Sequence, residues 1–171
     1  MHLTRRSLVA TLLGSTLPNL AGAAEISLPA PKGTVILTVS GKIDAFNAGR
    51  TAEFDRGMLE AFGLSSFTTT TPWYSSPVTF SGVPMKKLMQ AVRASGQSVV
   101  ATALNDYETR IPISDFLRFN VLLALKRDGH YMPVSDKGPL FIVYPYDSDP
   151  ALKTQKYYSR SAWQLASIVV A

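Results

Sequence analysis

Residues 132–145 read Met-Pro-Val-Ser-Asp-Lys-Gly-Pro-Leu-Phe-Ile-Val-Tyr-Pro, and this stretch is the most informative part of the chain. It follows Asp128-Gly129, a pair typical of a two-residue hairpin turn because both residue types tolerate a positive φ. Its second half, from Leu140 to Tyr144, is an apolar run with the length and composition of a buried strand. The segment from Asp136 to Pro139 has the composition of a tight turn. The stretch therefore predicts a hairpin, a turn and a buried strand, in that order.

Further strand-like segments lie on both sides of this stretch. Runs rich in β-branched and aromatic residues predict strands over residues 34–40, 65–71, 77–80, 99–104, 107–113, 121–125, 130–134 and 164–170. Helical spacing supports two helices, one from the N-cap Asp55 to Gly63 and one from Pro84 to Gly96, with a single helical turn at 114–116. Residues 41–50 and 147–156 are predicted loops. Because strands and helices do not alternate regularly, the pattern predicts an α+β fold with mixed or antiparallel sheets and few short helices.

The N-terminal residues have the layout of an export signal. Arg5 and Arg6 precede an apolar stretch, and the small residues 21–24 suit a cleavage site. We therefore expect residues 1–24 to be an export signal peptide and residues 25–171 to form one domain. The paired arginines resemble a twin-arginine signal, and an ordinary secretory signal fits them equally well.

Composition argues against nucleic acid and membrane functions. Without Arg5 and Arg6, the 17 basic residues fall to 15 against 12 acidic ones, and no cluster of Lys or Arg exceeds two residues. Such a weak basic excess is not typical of a nucleic-acid-binding protein. No apolar run after residue 24 is long enough to cross a bilayer, so we do not expect an integral membrane protein.

Metal and hydrolytic chemistry lack the residues that they need. The chain has no cysteine, and His130 is the one histidine after residue 24. No thiolate or histidine cluster can hold a metal, so we predict no metal ligands. The nucleophile elbow G-x-S-x-G is also absent from the sequence. A two-carboxylate glycosidase site stays open, because the separation of carboxylates is a three-dimensional quantity.

Polar and aromatic residues cluster at predicted strand ends and turns. Flat nitrogen heterocycles need an aromatic face for stacking, an amide or carboxylate for ring N–H groups, and cations for a phosphate. The alternative is that these are ordinary turn and edge residues, present for backbone reasons. The candidate ligand-binding residues are Thr70, Thr71, Trp73, Asn105, Asp106, Tyr107, Asp136, Lys137, Tyr158, Ser159 and Arg160.

Several motifs, in order, carry a family resemblance. They are the segments Phe80 to Pro84, Tyr107 to Ile113 and Leu123 to Gly129, the turn Asp136 to Pro139 with the strand after it, and Trp163. Together, from about residue 35 onward, they resemble the sulfite-oxidase-like, molybdopterin-binding domain of oxidoreductases. The resemblance implies that fold, a pterin or molybdopterin cofactor, and a position for Tyr107 at the ligand site.

The departures from this family matter as much. The family's molybdenum-ligating cysteine falls near the end of the strand at residues 68–71, where threonines stand, and its lysine before the final tryptophan is Ala162. A neutral hydroxyl is a poor substitute for a soft thiolate. The missing cysteine therefore argues for ligand binding and against redox turnover.

A subgroup of small exported members resembles this chain more closely. They share the segments Thr69 to Trp73, Leu104 to Tyr107, Asp136 to Pro139, and Tyr144-Pro145. The resemblance implies a periplasmic pterin-binding sensor that acts on a membrane signalling partner of the diguanylate cyclase type. Two alternatives stay open: a molybdopterin-dependent oxidoreductase or its electron-transfer partner subunit, and a domain that has lost its ligand and only contacts a partner.

The resemblance also suggests roles for individual side chains. Trp73 or Tyr107 is expected to stack near the bicyclic ring. One of two carboxylates, Asp106 or Asp136, is expected to pair with the amino-pyrimidine edge. The cations expected to meet hydroxyl or phosphate groups are Lys137 and Arg160.

Overall fold

The computed structural model describes residues 26–171, so the predicted signal peptide over residues 1–24 lies outside the described residues. The strands are β1 (Ile26–Ser27), β2 (Val35–Gly41), β3 (Ala45–Phe46), β4 (Ala52–Asp55), β5 (Ser65–Thr71), β6 (Tyr74–Pro84), β7 (Ser98–Ala103), β8 (Glu108–Pro112), β9 (Leu122–Arg127), β10 (His130–Tyr131), β11 (Phe141–Val143) and β12 (Leu165–Val170). The helices are α1 (Arg56–Ala61), α2 (Met85–Ala91), α3 (Ile113–Arg118) and α4 (Gln155–Tyr158). Three 3₁₀ turns, Val134–Asp136, Tyr146–Ser148 and Pro150–Leu152, join the later elements.

Two five-stranded sheets form the body of the domain. The first has the order β10-β9-β6-β5, with β11 also paired to β9, and all its pairs are antiparallel. The second has the order β4-β2-β12-β7-β8, and its β12–β2 pair is parallel while the others are antiparallel. Mixed and antiparallel sheets with four short helices confirm the predicted α+β class.

The stretch at 132–145 keeps the predicted order of hairpin, turn and buried strand, but the strand predicted at 130–134 ends at Tyr131, and Val134 begins a 3₁₀ turn. Asp128 and Gly129 both have positive φ, 48° and 82°, as a primed hairpin turn between β9 and β10 requires. After a 3₁₀ turn the chain passes through Lys137, which has a φ of 65°, and then Gly138. A Cβ on Gly138 would lie 1.9 Å from the carbonyl oxygen of Met132, so only glycine fits there. β11 follows and is buried throughout.

Helix α1 begins where Asp55 predicts. The Asp55 carboxylate accepts hydrogen bonds from the backbone N–H groups of Met58 (2.8 Å), Lys32 (2.7 Å) and Gly33 (2.7 Å). The bond from Met58 is the main reason why the pKa of Asp55 is lowered. Phe54 was expected in the helical pattern, but it belongs to β4 and pairs with Leu37 of β2.

Four other predicted bounds were wrong. Helix α2 ends at Ala91, before Gly96, because Arg93 has a φ of 52°, which breaks the helix. The strand predicted at 77–80 extends over the whole of β6, because its two ends pair with β5 and β9. The predicted loop at 41–50 contains β3, and the one at 147–156 contains 3₁₀ turns and the first residues of α4. Strand β3 and the full length of β6 depend on long-range pairing that local sequence does not report.

Across residues 26–171, no helix has the length and apolar character needed to cross a bilayer.

Candidate functional site

A cavity of about 330 Å³ opens where four connecting segments meet. These are the turn between β5 and β6, the turn between β7 and β8, helix α4, and the residues between α4 and β12. Its volume lies at the small end of ligand pockets, which start near 300 Å³. We call this cavity the aromatic pocket, and it is lined by Pro72, Trp73, Ala103, Asn105, Tyr107, Gln155, Tyr158, Ser159, Ser161 and Trp163.

Trp73 is the most constrained side chain of the aromatic pocket. Its ring meets four others edge to face: Phe141 at 5.6 Å, Tyr146 at 6.2 Å, Tyr158 at 6.1 Å and Trp163 at 5.3 Å between centroids. Edge-to-face pairs add stabilisation beyond the buried area. The indole is therefore held in one orientation before any ligand arrives.

Tyr107 also lines the aromatic pocket. Asp106 adopts a φ of 63° in the turn, and the side-chain oxygen of Asn105 accepts a hydrogen bond from the Tyr107 backbone N–H (3.3 Å). The Tyr107 hydroxyl donates to the Ser159 carbonyl oxygen at 2.8 Å, although the side chain stays 45% exposed. This bond joins the β7–β8 turn to the segment after α4.

Buried hydrogen bonds fix the wall behind Ser159. The Ser161 hydroxyl donates to the Tyr157 carbonyl oxygen at 3.0 Å and also bonds the Tyr146 hydroxyl. Burial raises the pKa of Tyr146, so its hydroxyl is neutral at ordinary pH. A satisfied network of this kind makes the wall rigid.

The segment from Ser159 to Ser161 is anchored to helix α3 by a buried ion pair. The Arg160 guanidinium lies 2.7 Å from the Asp115 carboxylate, and the Tyr144 hydroxyl donates to the same carboxylate oxygen at 2.7 Å. Burial raises the pKa of Tyr144. Arg160 is thus committed to Asp115 and does not line the aromatic pocket.

Asp147 holds the strand end that leads to Trp73. Its carboxylate accepts from the Thr70 backbone N–H and the Thr70 hydroxyl, both at 2.6 Å, and pairs with Lys153 at 2.6 Å. These contacts, led by the one from Lys153, lower the pKa of Asp147 to about 2. Thr71 then accepts from the Trp73 backbone N–H at 3.3 Å. Thr70 and Thr71 therefore shape the turn and do not line the pocket.

Asp136 and Lys137 lie beside the aromatic pocket and are not among its lining residues. Asp136 pairs with Arg127 and accepts from the Tyr74 hydroxyl at 3.1 Å. The Lys137 ammonium lies over the Trp163 ring, 4.4 Å from its centroid. Burial lowers the pKa of Lys137.

The structure brings together five of the eleven predicted site residues, namely Trp73, Asn105, Tyr107, Tyr158 and Ser159. The six that do not line the aromatic pocket are Thr70, Thr71, Asp106, Asp136, Lys137 and Arg160. Sequence reasoning missed five lining residues, Pro72, Ala103, Gln155, Ser161 and Trp163. Pro72 and Trp163 stand in the motifs quoted above and could have been included. No local feature of the sequence identifies Ala103 as a lining residue.

Comparison with protein families gives one match. The model of the oxidoreductase molybdopterin binding domain matches residues 48–148, which is more than half of the chain, and the chain belongs to this family. It therefore carries a molybdopterin-binding domain of the sulfite-oxidase type, as its motifs predicted. A comparison with curated proteins found no match.

The family implies a molybdenum–pterin cofactor, and the pocket fits its two parts unequally. Aromatic rings and neutral amides suit the pterin ring. For the metal there is no cysteine in the chain, and residues 26–171 contain no cluster of three or more His, Asp or Glu side chains able to hold an ion. The residues present fit the pterin ring and offer molybdenum no thiolate.

Proposed function

We propose that this protein binds a pterin in the aromatic pocket and acts as a ligand sensor without catalysing a reaction. The observation that carries this proposal is the pocket itself: a pre-oriented indole and neutral hydrogen-bonding groups, in a molybdopterin-binding domain whose chain has no cysteine. An aromatic face and uncharged amides are what a flat nitrogen heterocycle requires.

The neutral polar groups suit the edge of a pterin ring. Asn105 and Gln155 each carry an amide that can both donate and accept, and Tyr107 and Trp73 both line the pocket. The two amides can pair with a pyrimidinone edge, which also presents both donors and acceptors. Asp106 or Asp136 was the predicted partner of this edge; because neither lines the cavity, the amides take that role in this proposal.

The sensing role extends the proposal to a partner. A protein that captures a pterin and turns over nothing has to report its occupancy to another molecule. By the resemblance of its motifs, the partner is the periplasmic domain of a membrane signalling protein of the diguanylate cyclase type, and export through residues 1–24 would bring the two together.

A second candidate rests on the family match. In this alternative the domain is a molybdopterin-dependent oxidoreductase, or its electron-transfer partner subunit, with the metal held by the cofactor alone. Elemental analysis of the protein purified from its own host separates the two. Stoichiometric molybdenum would favour the oxidoreductase, and a co-purified pterin without molybdenum would favour the sensor.

Binding is tested with two matched tyrosine variants. Dihydroneopterin is titrated calorimetrically, under exclusion of oxygen, into the protein and into Tyr107→Ala and Tyr131→Ala. Both tyrosines are similarly exposed, 45% and 43%, but only Tyr107 lines the pocket. Because stacking of a base on an aromatic ring contributes roughly 1–3 kcal/mol, Tyr107→Ala should weaken binding by about 5- to 150-fold. Tyr131→Ala should leave it unchanged.

Two results would contradict the proposal. Equal losses in the two variants would move the binding site away from the aromatic pocket. Failure of dihydroneopterin and related pterins to raise the Tm would favour a domain that only contacts a partner, because a ligand at 100 times its Kd adds about 2.7 kcal/mol of stability.

A further inference from the structure

The aromatic pocket is electrically neutral along its whole lining. Its ten lining residues include no Asp, Glu, Lys, Arg or His, and its polar groups are amides, hydroxyls and backbone atoms. A phosphate monoester carries a charge of about −1.5 to −2 at pH 7, and sites that bind it present cations or helix N-termini. The lining of this pocket presents neither a cationic side chain nor a long helix.

The cations nearest to the pocket are held by other groups. Lys153 pairs with Asp147 at 2.6 Å, and Arg160 pairs with the buried Asp115 at 2.7 Å. Withdrawing Arg160 would leave the Asp115 carboxylate buried without its charged partner, which is costly. Lys156, on the outer side of α4, lies over the Tyr157 ring at 5.2 Å.

Lys137 is the cation that comes closest to the pocket rings. Its ammonium lies 4.4 Å from the Trp163 centroid, 5.6 Å from Tyr74 and 5.8 Å from Trp73. The backbone at Lys137 is fixed, because the Lys137 carbonyl oxygen accepts a hydrogen bond from the Gln164 N–H at 3.0 Å. Both residues have positive φ, 65° and 51°. Cation–π contacts with these rings stabilise the ammonium, and Lys137 lies outside the pocket lining.

We propose that the aromatic pocket selects uncharged heterocycles and rejects their phosphate esters, including the phosphate-bearing molybdopterin. This inference rests on the proposed pterin function. It revises the expectation that Lys137 and Arg160 meet a phosphate, because neither side chain lines the cavity. The natural ligand is then a free pterin whose side chain ends in hydroxyl or hydrogen.

The test compares one ligand with and without its phosphate. Dihydroneopterin and dihydroneopterin monophosphate are titrated into the full protein at salt concentrations from 0.05 to about 0.5 M, a range over which charge interactions are progressively screened. We expect the monophosphate to bind at least 10-fold more weakly. The Kd of dihydroneopterin should not change with salt, because no ion pair contributes to it.

A variant with an added cation checks the physical cause. Gln155→Lys places an ammonium on the exposed, pocket-lining face of α4. The change removes one of the two amides proposed for the ring edge and so weakens the binding of both ligands, but it should lower the ratio of the monophosphate Kd to the dihydroneopterin Kd several-fold. The matched control is Gln90→Lys on α2, which is equally a surface glutamine and lies outside the aromatic pocket. It should change neither affinity.

The outcomes separate this inference from the proposed function. If the monophosphate binds as tightly as dihydroneopterin, or more tightly, the inference is overturned while pterin binding stands. If the two lysine variants lower the ratio of the monophosphate Kd to the dihydroneopterin Kd equally, the effect is one of overall charge, and the local argument is overturned. If neither ligand binds, the proposed function and the inference fail together.

Discussion

Removing the Asp115 carboxylate should destabilise the domain strongly and weaken the aromatic pocket at a distance. Asp115 is 7% exposed and receives both the Arg160 guanidinium and the Tyr144 hydroxyl at 2.7 Å. The variant Asp115→Ala leaves a guanidinium largely buried without an opposite charge and a buried hydroxyl without its acceptor.

The size of the effect follows from burial. Breaking a buried ion pair by removing one partner costs about 3–5 kcal/mol, whereas an exposed pair contributes about 0–1 kcal/mol. Side-chain exposures of 10% for Asp115 and 18% for Arg160 make this a buried ion pair. The exposed pair of Glu60 with Lys126, at 3.6 Å and with exposures of 31% and 26%, supplies the matched control.

Urea unfolding followed by circular dichroism measures these differences. Asp115→Ala should lower the free energy of unfolding by about 3–5 kcal/mol, and Glu60→Ala by less than about 1 kcal/mol. Adding Arg160→Met to Asp115→Ala should restore part of the loss, because the double variant no longer buries an unpaired charge. Ligand affinity should also fall in Asp115→Ala, because Arg160 anchors the segment between Ser159 and Ser161.

Two results would refute this reasoning. A loss below 1 kcal/mol in Asp115→Ala would show that the pair is solvated in solution. A double variant whose loss equals the sum of the two single losses would show that Asp115 and Arg160 do not interact energetically.

Three further predictions concern single positions. Gly138→Ala should lower the free energy of unfolding by about 1–3 kcal/mol in the same urea assay, because its Cβ would lie 1.9 Å from the Met132 carbonyl oxygen. Asp147 has its pKa lowered from 3.8 to about 2, so its contribution to stability is present above pH 3.8 and is lost as the pH falls toward 2; Asp147→Asn should remove that part of the acid dependence of Tm. Tyr107→Phe should change stability by less than about 0.5 kcal/mol, because the residue is exposed. It should nevertheless weaken dihydroneopterin binding by about 0.5–1.5 kcal/mol through loss of the bond to Ser159.

Each of these has a control. Gly129 has open space around its Cβ position but a φ of 82°, so a Gly129→Asn change, compatible with that φ, should cost little compared with Gly138→Ala. Asp149→Asn is the matched control for Asp147→Asn, because it removes a nearby carboxylate without removing the contacts of Asp147 with Lys153 and Thr70. Tyr131→Phe removes the bond to Glu60 at 2.7 Å and should not alter ligand affinity.

Sequence reasoning worked best where the interactions are local. The Asp128-Gly129 turn, the N-cap at Asp55 and the buried strand after Gly138 were all predicted, because each depends on the conformational preferences of adjacent residues. The motifs were also enough to predict the family. Sequence reasoning failed at β4 and at the full length of β6, because those strands are defined by the partners they pair with.

The composition of the aromatic pocket is a property of tertiary structure. Trp73 and Trp163 meet although ninety positions separate them in the chain, and Tyr107 bonds Ser159 across 52 positions. The sequence alone established an α+β domain without cysteine that carries aromatic residues at its turns. Only the tertiary structure shows that Arg160 pairs with Asp115 and that the Lys137 ammonium lies over the indole rings. A partly buried charge needs a partner that compensates its desolvation, and long-range packing determines which partner is within reach.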